Sequence, residues 1–190
     1  MRNISENILM IEGGDLCSNV YILTEGKKAL LIDSGDGSNF EEIQNALEGL
    51  ELMQVVLTHG HFDHIGGMRY LITAGMVRKA DLAVLDELNS VFPSYQRPTN
   101  LHELRTSSLK FGKFDLQIID TPGHTPGSIC LFEKSRKILF SGDTLFAGGY
   151  VGRTDLFGGN SEKLIKSLGM IKKLDYKVLC PGHNEVECVI

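Results

Sequence analysis

Apolar residues in the first third of the chain fall into short runs that are separated by glycine and polar turns. Three such runs predict strands, at 8–11, 20–23 and 29–32. Glu25-Gly26-Lys27, between the second and third runs, predicts a hairpin turn. Between residues 40 and 50, apolar side chains recur every three or four positions, which predicts an amphipathic helix with Ser38 as its N-cap.

The rest of the chain continues to mix strands and helices. Further strands are predicted at 53–57, 82–85, 114–119, 128–132, 137–140 and 177–179. Helices are predicted at 65–77 and from Ser161 onward, where Leu164, Ile165, Leu168 and Ile171 share one face. The link 133–136 predicts another hairpin, and hairpins need antiparallel pairs. Two mixed sheets facing each other, with helices outside, would bury these faces and give an α+β fold.

The segment 86–105 has the least regular pattern in the chain. It contains Pro93 and Pro98 among polar residues, with Phe92 and Tyr95 as apolar anchors. Long loops in compact domains are usually functional or mobile. We therefore expect this segment to cover a site, and its aromatic residues are also candidate contacts for a homodimer.

Composition narrows the classes of protein that this chain can belong to. Its 190 residues suit one domain, and its net charge of -5, with no Lys/Arg block longer than two residues, argues against a nucleic-acid partner. The N-terminus lacks a secretory pattern, and no apolar run approaches the roughly 20 residues of a membrane helix. The four cysteines form no CxxC pair, and Cys130 and Cys180 stand in apolar runs that predict burial. A reducing cytoplasm is the expected location.

Ligand-type side chains are concentrated in the segment Thr-His-Gly-His-Phe-Asp-His-Ile-Gly-Gly at 58–67. His59, His61, Asp63 and His64 fall within six residues, between an apolar strand and an apolar helix. Imidazole and carboxylate ligands suit zinc, iron or manganese. His59 and His61 can point the same way on an extended loop, whereas Asp63 and His64 turn the other way as the helix begins. The spacing therefore predicts a second metal ion.

Three more ligand-type residues lie beside glycine or proline at the ends of apolar strands. His124 and His183 each stand in a Pro-Gly-His turn, and Asp143 follows the strand predicted at 137–140. Ligands placed at strand ends are typical of a site built on a rigid scaffold. Only His102 falls outside this pattern, and we interpret it as a solvated loop histidine.

Four motifs together resemble those of a known family. They are HxHxDH at 59–64, PGHTPGS at 122–128, GDTLF at 142–146 and PGH at 181–183. They resemble the metallo-β-lactamase superfamily, and within it the chain is most similar to the glyoxalase II-like branch, over essentially its whole length. The resemblance implies a four-layer αβ/βα sandwich with the site along one edge of the two sheets. It also implies a single domain at 1–190, without the C-terminal helical domain that grips glutathione in true glyoxalase II.

The resemblance also implies a role for each ligand-type residue. The first metal ion is expected on His59, His61 and His124, the second on Asp63, His64 and His183, and Asp143 is expected to bridge both. Asp33 matches a family position that supports the site from behind the ligands, and a simple turn aspartate is the alternative interpretation.

The expected chemistry is that of a metal-dependent hydrolase. Two divalent ions, with zinc expected first and iron or manganese as alternatives, would lower the pKa of a bridging water and polarise a substrate carbonyl. Asp63 would orient the hydroxide as well as bind metal. No protein nucleophile is required, and Ser141 is not surrounded by a GxSxG elbow.

The substrate is indicated by weaker signals. Arg153, in a glycine-rich stretch, is interpreted either as a clamp for a substrate carboxylate or as the partner of Asp155. The Gly-Arg-Thr-Asp element at 152–155 resembles short glyoxalase II-like proteins and persulfide dioxygenases. Asn184 follows the last histidine, where true glyoxalase II carries a tyrosine soon after, and this departure argues against glutathione recognition.

Thioester hydrolysis is the leading hypothesis, because a thiolate is a good leaving group and needs no dedicated general acid. The expected partner is then a small-molecule thioester. The rival is a mononuclear iron persulfide dioxygenase that uses His59, His61 and either Asp143 or His124. A β-lactam hydrolase and an inactive metal-binding protein are further alternatives.

Overall fold

In the computed structural model, which describes residues 1–13, 17–91 and 97–189, two mixed β-sheets lie face to face. The first sheet contains, in this order, β1 (Arg2–Ser5), β2 (Ile8–Ile11), β3 (Val20–Glu25), β4 (Lys28–Ile32), β5 (Glu51–Val56), β6 (Gly75–Val77) and β7 (Leu101–Glu103). The second contains, in this order, β8 (Ser108–Phe111), β9 (Phe114–Asp120), β10 (Ile129–Glu133), β11 (Ile138–Gly142), β12 (Val178–Pro181) and β13 (Glu187–Cys188). The described helices are α1 (Phe40–Ala46), α2 (Phe62–Ile65), α3 (Lys79–Val91) and α4 (Ser161–Ile171), with 3-10 turns at Gly66–Tyr70 and Ala147–Gly149.

Both sheets are mixed because hairpins and parallel crossovers alternate along the chain. In the first sheet, β1 to β4 pair antiparallel and β4 to β7 pair parallel. In the second, β11 and β12 pair parallel and the other described pairs are antiparallel. Gly26 takes a φ of 59° in the predicted hairpin between β3 and β4, a conformation that suits glycine.

Alternate residues of the strands pack into separate apolar cores. Tyr21 of β3 lies in a core between the two sheets together with Phe114 and Phe140 of the second sheet. Ile22, its neighbour on the opposite face of β3, packs into a core that contains Ile43 of α1. These strands are buried on both faces, which explains why they appear in the sequence as continuous apolar runs.

A third core closes the molecule on the other side. Ile171 of α4 packs against Leu139 and Leu179 on the outer face of the second sheet. The layers therefore run helices, sheet, sheet, helix, and the predicted four-layer αβ/βα sandwich is confirmed. In the described part of the chain, no helix is both long and apolar enough to cross a membrane.

Two predicted elements near the HxHxDH segment are wrong. The helix expected at 65–77 is a 3-10 turn at Gly66–Tyr70 followed by strand β6. Gly67 explains part of the difference, since its amide bonds to the carbonyl of Gly35 and a Cβ there would collide with the carbonyl oxygen of Ser34. The strand expected at 82–85 lies inside α3, because a run of four apolar residues does not separate a helix from a strand.

Smaller differences concern helix ends and faces. Asn39, not Ser38, precedes α1, and the Ser38 amide instead donates to the Asp36 carboxylate at 2.7 Å. Ile165 is 68% exposed, so it does not share the buried face of α4. The irregular segment expected at 86–105 is wrong at both ends, where α3 and β7 occupy part of it. Phe92 and Tyr95 lie outside the described residues, so the predicted cover and dimer contact are not described.

Candidate metal centre

The ligand-type residues follow the carboxyl ends of strands that meet at one edge of the sandwich. In the first sheet, β4 and β5 run parallel, so Asp33 and the 58–64 segment leave the sheet side by side. In the second sheet, β9 and β11 both run antiparallel to β10, and β12 runs parallel to β11. The ends of β9, β11 and β12 therefore share one edge, and a backbone bond from Ile129 to Thr58, 2.9 Å long, joins this edge to the first sheet.

The first group of ligand-type atoms consists of His59, His61 and His124. His59 Nε2 lies 3.1 Å from Nδ1 of His61 and 3.2 Å from Nε2 of His124. Nitrogen atoms of three side chains from two sheets thus converge on one point. A set of three imidazoles is a common binding site for zinc and related ions.

The second group consists of Asp63, His64 and His183. The Asp63 carboxylate lies 3.0 Å from Nε2 of His183 and 3.5 Å from Nε2 of His64. These are the three residues that the motif resemblance assigns to the second ion, and their ligand atoms lie within 4.8 Å of one another.

Asp143 lies between the two groups. Its carboxylate oxygens are 3.2 Å from His64 Nε2, 3.5 Å from His183 Nε2 and 3.4 Å from His124 Nε2. Gly182 packs directly against this carboxylate, where a Cβ would collide with it. Asp143 thus lies where its carboxylate can reach both groups, and the bridging role that the motif resemblance implies stays a prediction.

Hydrogen bonds behind the rings determine which nitrogen faces the centre. The carbonyl of Arg153 accepts a 2.7 Å bond from Nδ1 of His124, so that nitrogen carries the proton and Nε2 is left for a metal ion. In the same way, Nδ1 of His64 donates to the Asp33 carboxylate at 2.8 Å and leaves Nε2 facing the centre. Such outer partners orient metal ligands and raise their basicity.

Asp33 also reaches His59, through Thr58. Its two oxygens accept bonds from the Thr58 amide at 2.7 Å and the Thr58 hydroxyl at 2.8 Å. The same hydroxyl lies 3.2 Å from Nδ1 of His59. Asp33 has a φ of 62°, a left-handed conformation that is uncommon outside glycine and that concentrates at functional sites. One carboxylate thus organises a ring from each group.

The groups differ in charge before any metal binds. Burial and the neighbouring rings lower the pKa of His61 to about 4 and hold the pKa of His59 well below its ordinary value. Burial also opposes a charge on His64, but the Asp143 and Asp33 carboxylates raise its pKa well above the ordinary value. Similarly, burial is outweighed at His183 by bonds to Asp143 and Asp63, which raise its pKa to about 9.

Two buried atoms at the centre have no hydrogen-bond partner in the described part of the chain. They are Nε2 of His64 and Oδ1 of Asp143, which lie 3.2 Å apart without hydrogen-bond geometry. Buried polar atoms are normally satisfied, so this pair calls for a further group. A divalent cation fits, because imidazole nitrogen and carboxylate oxygen are its usual ligands.

The centre forms the floor of an open cleft of about 880 Å³. Apolar side chains on its walls include Phe62, Phe146 and Leu156. Arg153 also lines the cleft, where its guanidinium makes two bonds of 2.7 Å to the carboxylate of the exposed Asp155. Arg153 therefore lines the cleft, where a substrate-binding residue is expected. In this structure it is paired with Asp155, which is the alternative interpretation of its sequence position.

All seven predicted ligands lie together at this centre, whereas His102 lies apart as an exposed residue of β7. Sequence reasoning missed two residues that hold the ligands. Thr58 adjoins the motif but has no ligand chemistry of its own, and Asp81 is 1% exposed and bonds to both ligand-bearing loops. No local signal distinguished Asp81, because its partners lie 21 to 46 residues away.

Comparison with known proteins gives the same family. A model of the metallo-β-lactamase superfamily matches residues 13–183. The probable metallo-hydrolase YqgX of Bacillus subtilis is 33% identical over 186 residues, covering 90% of this chain and 87% of that protein. Hydroxyacylglutathione hydrolase GloC of Haemophilus influenzae is 33% identical over 183 residues, covering 88% of this chain and 84% of that protein.

Solved structures agree with these relatives. BLEG-1, a B3 metallo-β-lactamase, is 29% identical with a TM-score of 0.79, covering 95% of this chain and 93% of that chain. TTHA1623 in a di-iron-bound form is 28% identical with a TM-score of 0.79, and the match covers 95% of this chain and 94% of that chain. The chain belongs to the metallo-β-lactamase superfamily, as its motifs predict. Membership and the His/Asp cluster together support a hydrolase that uses divalent metal ions.

Proposed function

We propose that the protein hydrolyses small thioesters with the help of two divalent metal ions. The observation that carries this proposal is the pair of ligand groups, with Asp143 between them, on the floor of an open cleft. His59, His61 and His124 would hold one ion, Asp63, His64 and His183 the other, and Asp143 would contact both. When bound, the ions supply a hydroxide near neutral pH and stabilise negative charge on the carbonyl oxygen.

Asp63 is the residue that we propose orients the attacking water. Burial opposes ionisation of Asp63, but the bond from His183 and the charge of His64 lower its pKa below the ordinary value. Asp63 is 28% exposed and lines the cleft, so its ionised carboxylate can accept a hydrogen bond from a water molecule there. The chain needs no nucleophile of its own for this step.

The thioester assignment follows from the leaving group and from the walls of the cleft. A thiolate departs without protonation, and no dedicated general acid is required of the cleft residues. Phe62, Phe146 and Leu156 offer apolar contacts for the acyl or thiol arm of a substrate. The name of GloC, a hydroxyacylglutathione hydrolase, supports the same substrate class. Arg153 is proposed to bind a carboxylate of the substrate by exchanging its bond to Asp155.

Zinc is the metal that we propose first, with iron or manganese as alternatives, because nitrogen and oxygen ligands suit all three. The di-iron form of TTHA1623 is consistent with iron at such a centre. A persulfide dioxygenase would use one iron ion and leave the Asp63–His64–His183 group without a function. A cytoplasmic location, a homodimer and the absence of a nucleic-acid partner stay predictions.

Metal analysis combined with an activity assay tests the proposal. We expect two ions per chain and cleavage of S-lactoylglutathione or of a simpler acyl thioester. One iron per chain, with oxygen uptake on glutathione persulfide and no thioester cleavage, would replace the hydrolase by the dioxygenase. Cleavage of a β-lactam with both thioesters left intact would replace only the substrate class.

A further inference from the structure

Asp81 is a buried carboxylate, 1% exposed, in the first turn of α3 and outside both ligand groups. One of its oxygens accepts a 2.7 Å bond from the amide of Gly60, which lies between His59 and His61. The other oxygen accepts a 2.6 Å bond from the amide of Gly127, in the loop that carries His124. A single side chain therefore spans the loops that bring the first ligand group together.

A third bond extends the contact to the residue after His124. The Thr125 hydroxyl donates to Asp81 at 2.8 Å, and the hydroxyl of Ser128 lies 2.7 Å from the Thr125 oxygen. The Ser128 oxygen also accepts a 3.0 Å bond from the Thr125 amide. The 122–128 turn thus has hydrogen bonds within itself and further hydrogen bonds to Asp81.

The two loops also pack closely against the Asp81 side chain. A Cβ at Gly127 would collide with the Asp81 carboxylate, and one at Gly60 would lie 3.2 Å from the Asp81 Cβ. Both loops therefore contact Asp81 through glycine backbone, which allows little change in their distance from it.

We propose that Asp81 is a positioning residue that sets the distance between His59 and His61 on one loop and His124 on the other. The proposal rests on the metal centre of the proposed function. Asparagine cannot replace Asp81 in this role, because it has one acceptor oxygen and its amide group would face an N–H donor. Loss of the carboxylate should weaken metal binding at the first ligand group. The second group, which Asp81 does not contact in the described structure, should bind metal as tightly as before.

The test compares Asp81→Asn with Glu133→Gln in the full chain. Glu133 is a matched control, since it is also 1% exposed and accepts bonds from the Ser135 hydroxyl and the Arg136 amide, at the far end of β10. Each protein is stripped with a chelator, and Zn²⁺ is then titrated in competition with a chromophoric chelator. Melting of the metal-free proteins and the visible spectrum with Co²⁺ are measured alongside.

In Asp81→Asn we expect the affinity for one of the two Zn²⁺ ions to fall by about 10- to 100-fold, the usual effect of removing a residue that orients metal ligands through hydrogen bonds. The Co²⁺ spectrum should change as well. In Glu133→Gln we expect a lower melting temperature with both zinc affinities unchanged. Equal zinc affinities in Asp81→Asn and the unmodified chain would overturn the proposal. A wild-type chain that binds no Zn²⁺ would overturn the metal centre itself, and the proposal with it.

Thr125 supplies a second route if Asp81→Asn does not fold. Thr125→Val removes one of the three bonds to Asp81, and Thr125→Ser retains the hydroxyl. We expect the valine variant to bind Zn²⁺ at the first ligand group several-fold more weakly than the unmodified chain. The serine variant should recover most of that affinity. The same affinity in both variants would contradict the proposed role.

Discussion

Nδ1 of His64 lies 2.8 Å from the carboxylate of Asp33, and both side chains are buried. The bond leaves Nε2 of His64 facing Asp143, at the side where the other residues of the second ligand group lie. Because Asp33 also accepts two bonds from Thr58, which contacts His59, the carboxylate connects both ligand groups through the scaffold of the first sheet.

Asp33→Asn should weaken metal binding and activity together. Three donors face the Asp33 carboxylate, and asparagine would turn a fourth donor toward them, so we expect metal affinity to fall by about 10- to 100-fold. Leaving buried donors unmatched should also cost about 1–3 kcal/mol of stability. Asp36→Asn, in the same loop, is the control, and similar losses in both variants would exclude a specific role for Asp33.

His61→Ala should abolish activity while the fold survives. The three apolar cores contain no metal ligand, so they should keep the sandwich folded without metal. Far-UV circular dichroism and thermal melting of the variant and of the chelated wild type check this. A metal-free chain that is unfolded at room temperature would show that the ions are needed for folding.

Metal loading should release protons at pH 7.5. In the metal-free chain the pKa of His183 is raised to about 9, so that ring is mostly protonated at that pH, and the Asp143 and Asp33 carboxylates raise the pKa of His64 as well. A ring must lose its proton to bind metal, whereas His59 and His61, whose pKa values are lowered, are already neutral. Affinity at the second group should therefore rise with pH up to about 9.

Calorimetry in buffers of different ionisation enthalpy measures this release directly. We expect proton release at pH 7.5 from the second ligand group, whose two histidine rings have raised pKa values, and less release as the pH passes the pKa of His183. A binding heat that does not depend on the buffer would mean that these rings are neutral in the metal-free chain.

The four cysteines should react with a thiol reagent at very different rates. Cys188 is exposed, whereas Cys17, Cys130 and Cys180 are buried. Burial raises the pKa of Cys130 to about 11 and raises that of Cys180 further, so the reactive thiolate is scarce at pH 8. We expect one fast thiol in the native chain, absent from Cys188→Ser, and four after unfolding. A second fast thiol would mean that a core opens readily.

Arg153 is tested by the charge of the substrate. If it binds a carboxylate, Arg153→Gln should raise KM several-fold for S-lactoylglutathione and leave KM for an uncharged acyl thioester nearly unchanged. Its bond to Asp155 lies at the surface, where solvent screens the attraction between the two charges, so an exchange of partner costs little. Equal effects on both substrates would mean that Arg153 acts only by positioning its own loop, whose Arg153 carbonyl bonds to His124.

The sequence predicts the ligands better than it predicts what holds them. His59 to His64 form one local motif, and the other ligands each follow an apolar run beside glycine or proline, so a linear pattern is enough to find them. Asp81 acts through contacts up to 46 residues away, and no linear pattern contains that information. The error at 82–85 has a related origin, because the helical period of α3 is visible in the burial of Asp81 and Leu85, four residues apart, and burial cannot be read from the sequence.

Each ligand group contains residues that follow strands of both sheets, and among the described strands the chain passes from one sheet to the other between β7 and β8. Neither half of the chain can therefore complete a binding site alone. His183 is made long after His59 during synthesis, so neither ligand group is complete until the second sheet has been made. A metal ion that needs all the ligands of one group would therefore bind only after the two sheets have docked in register.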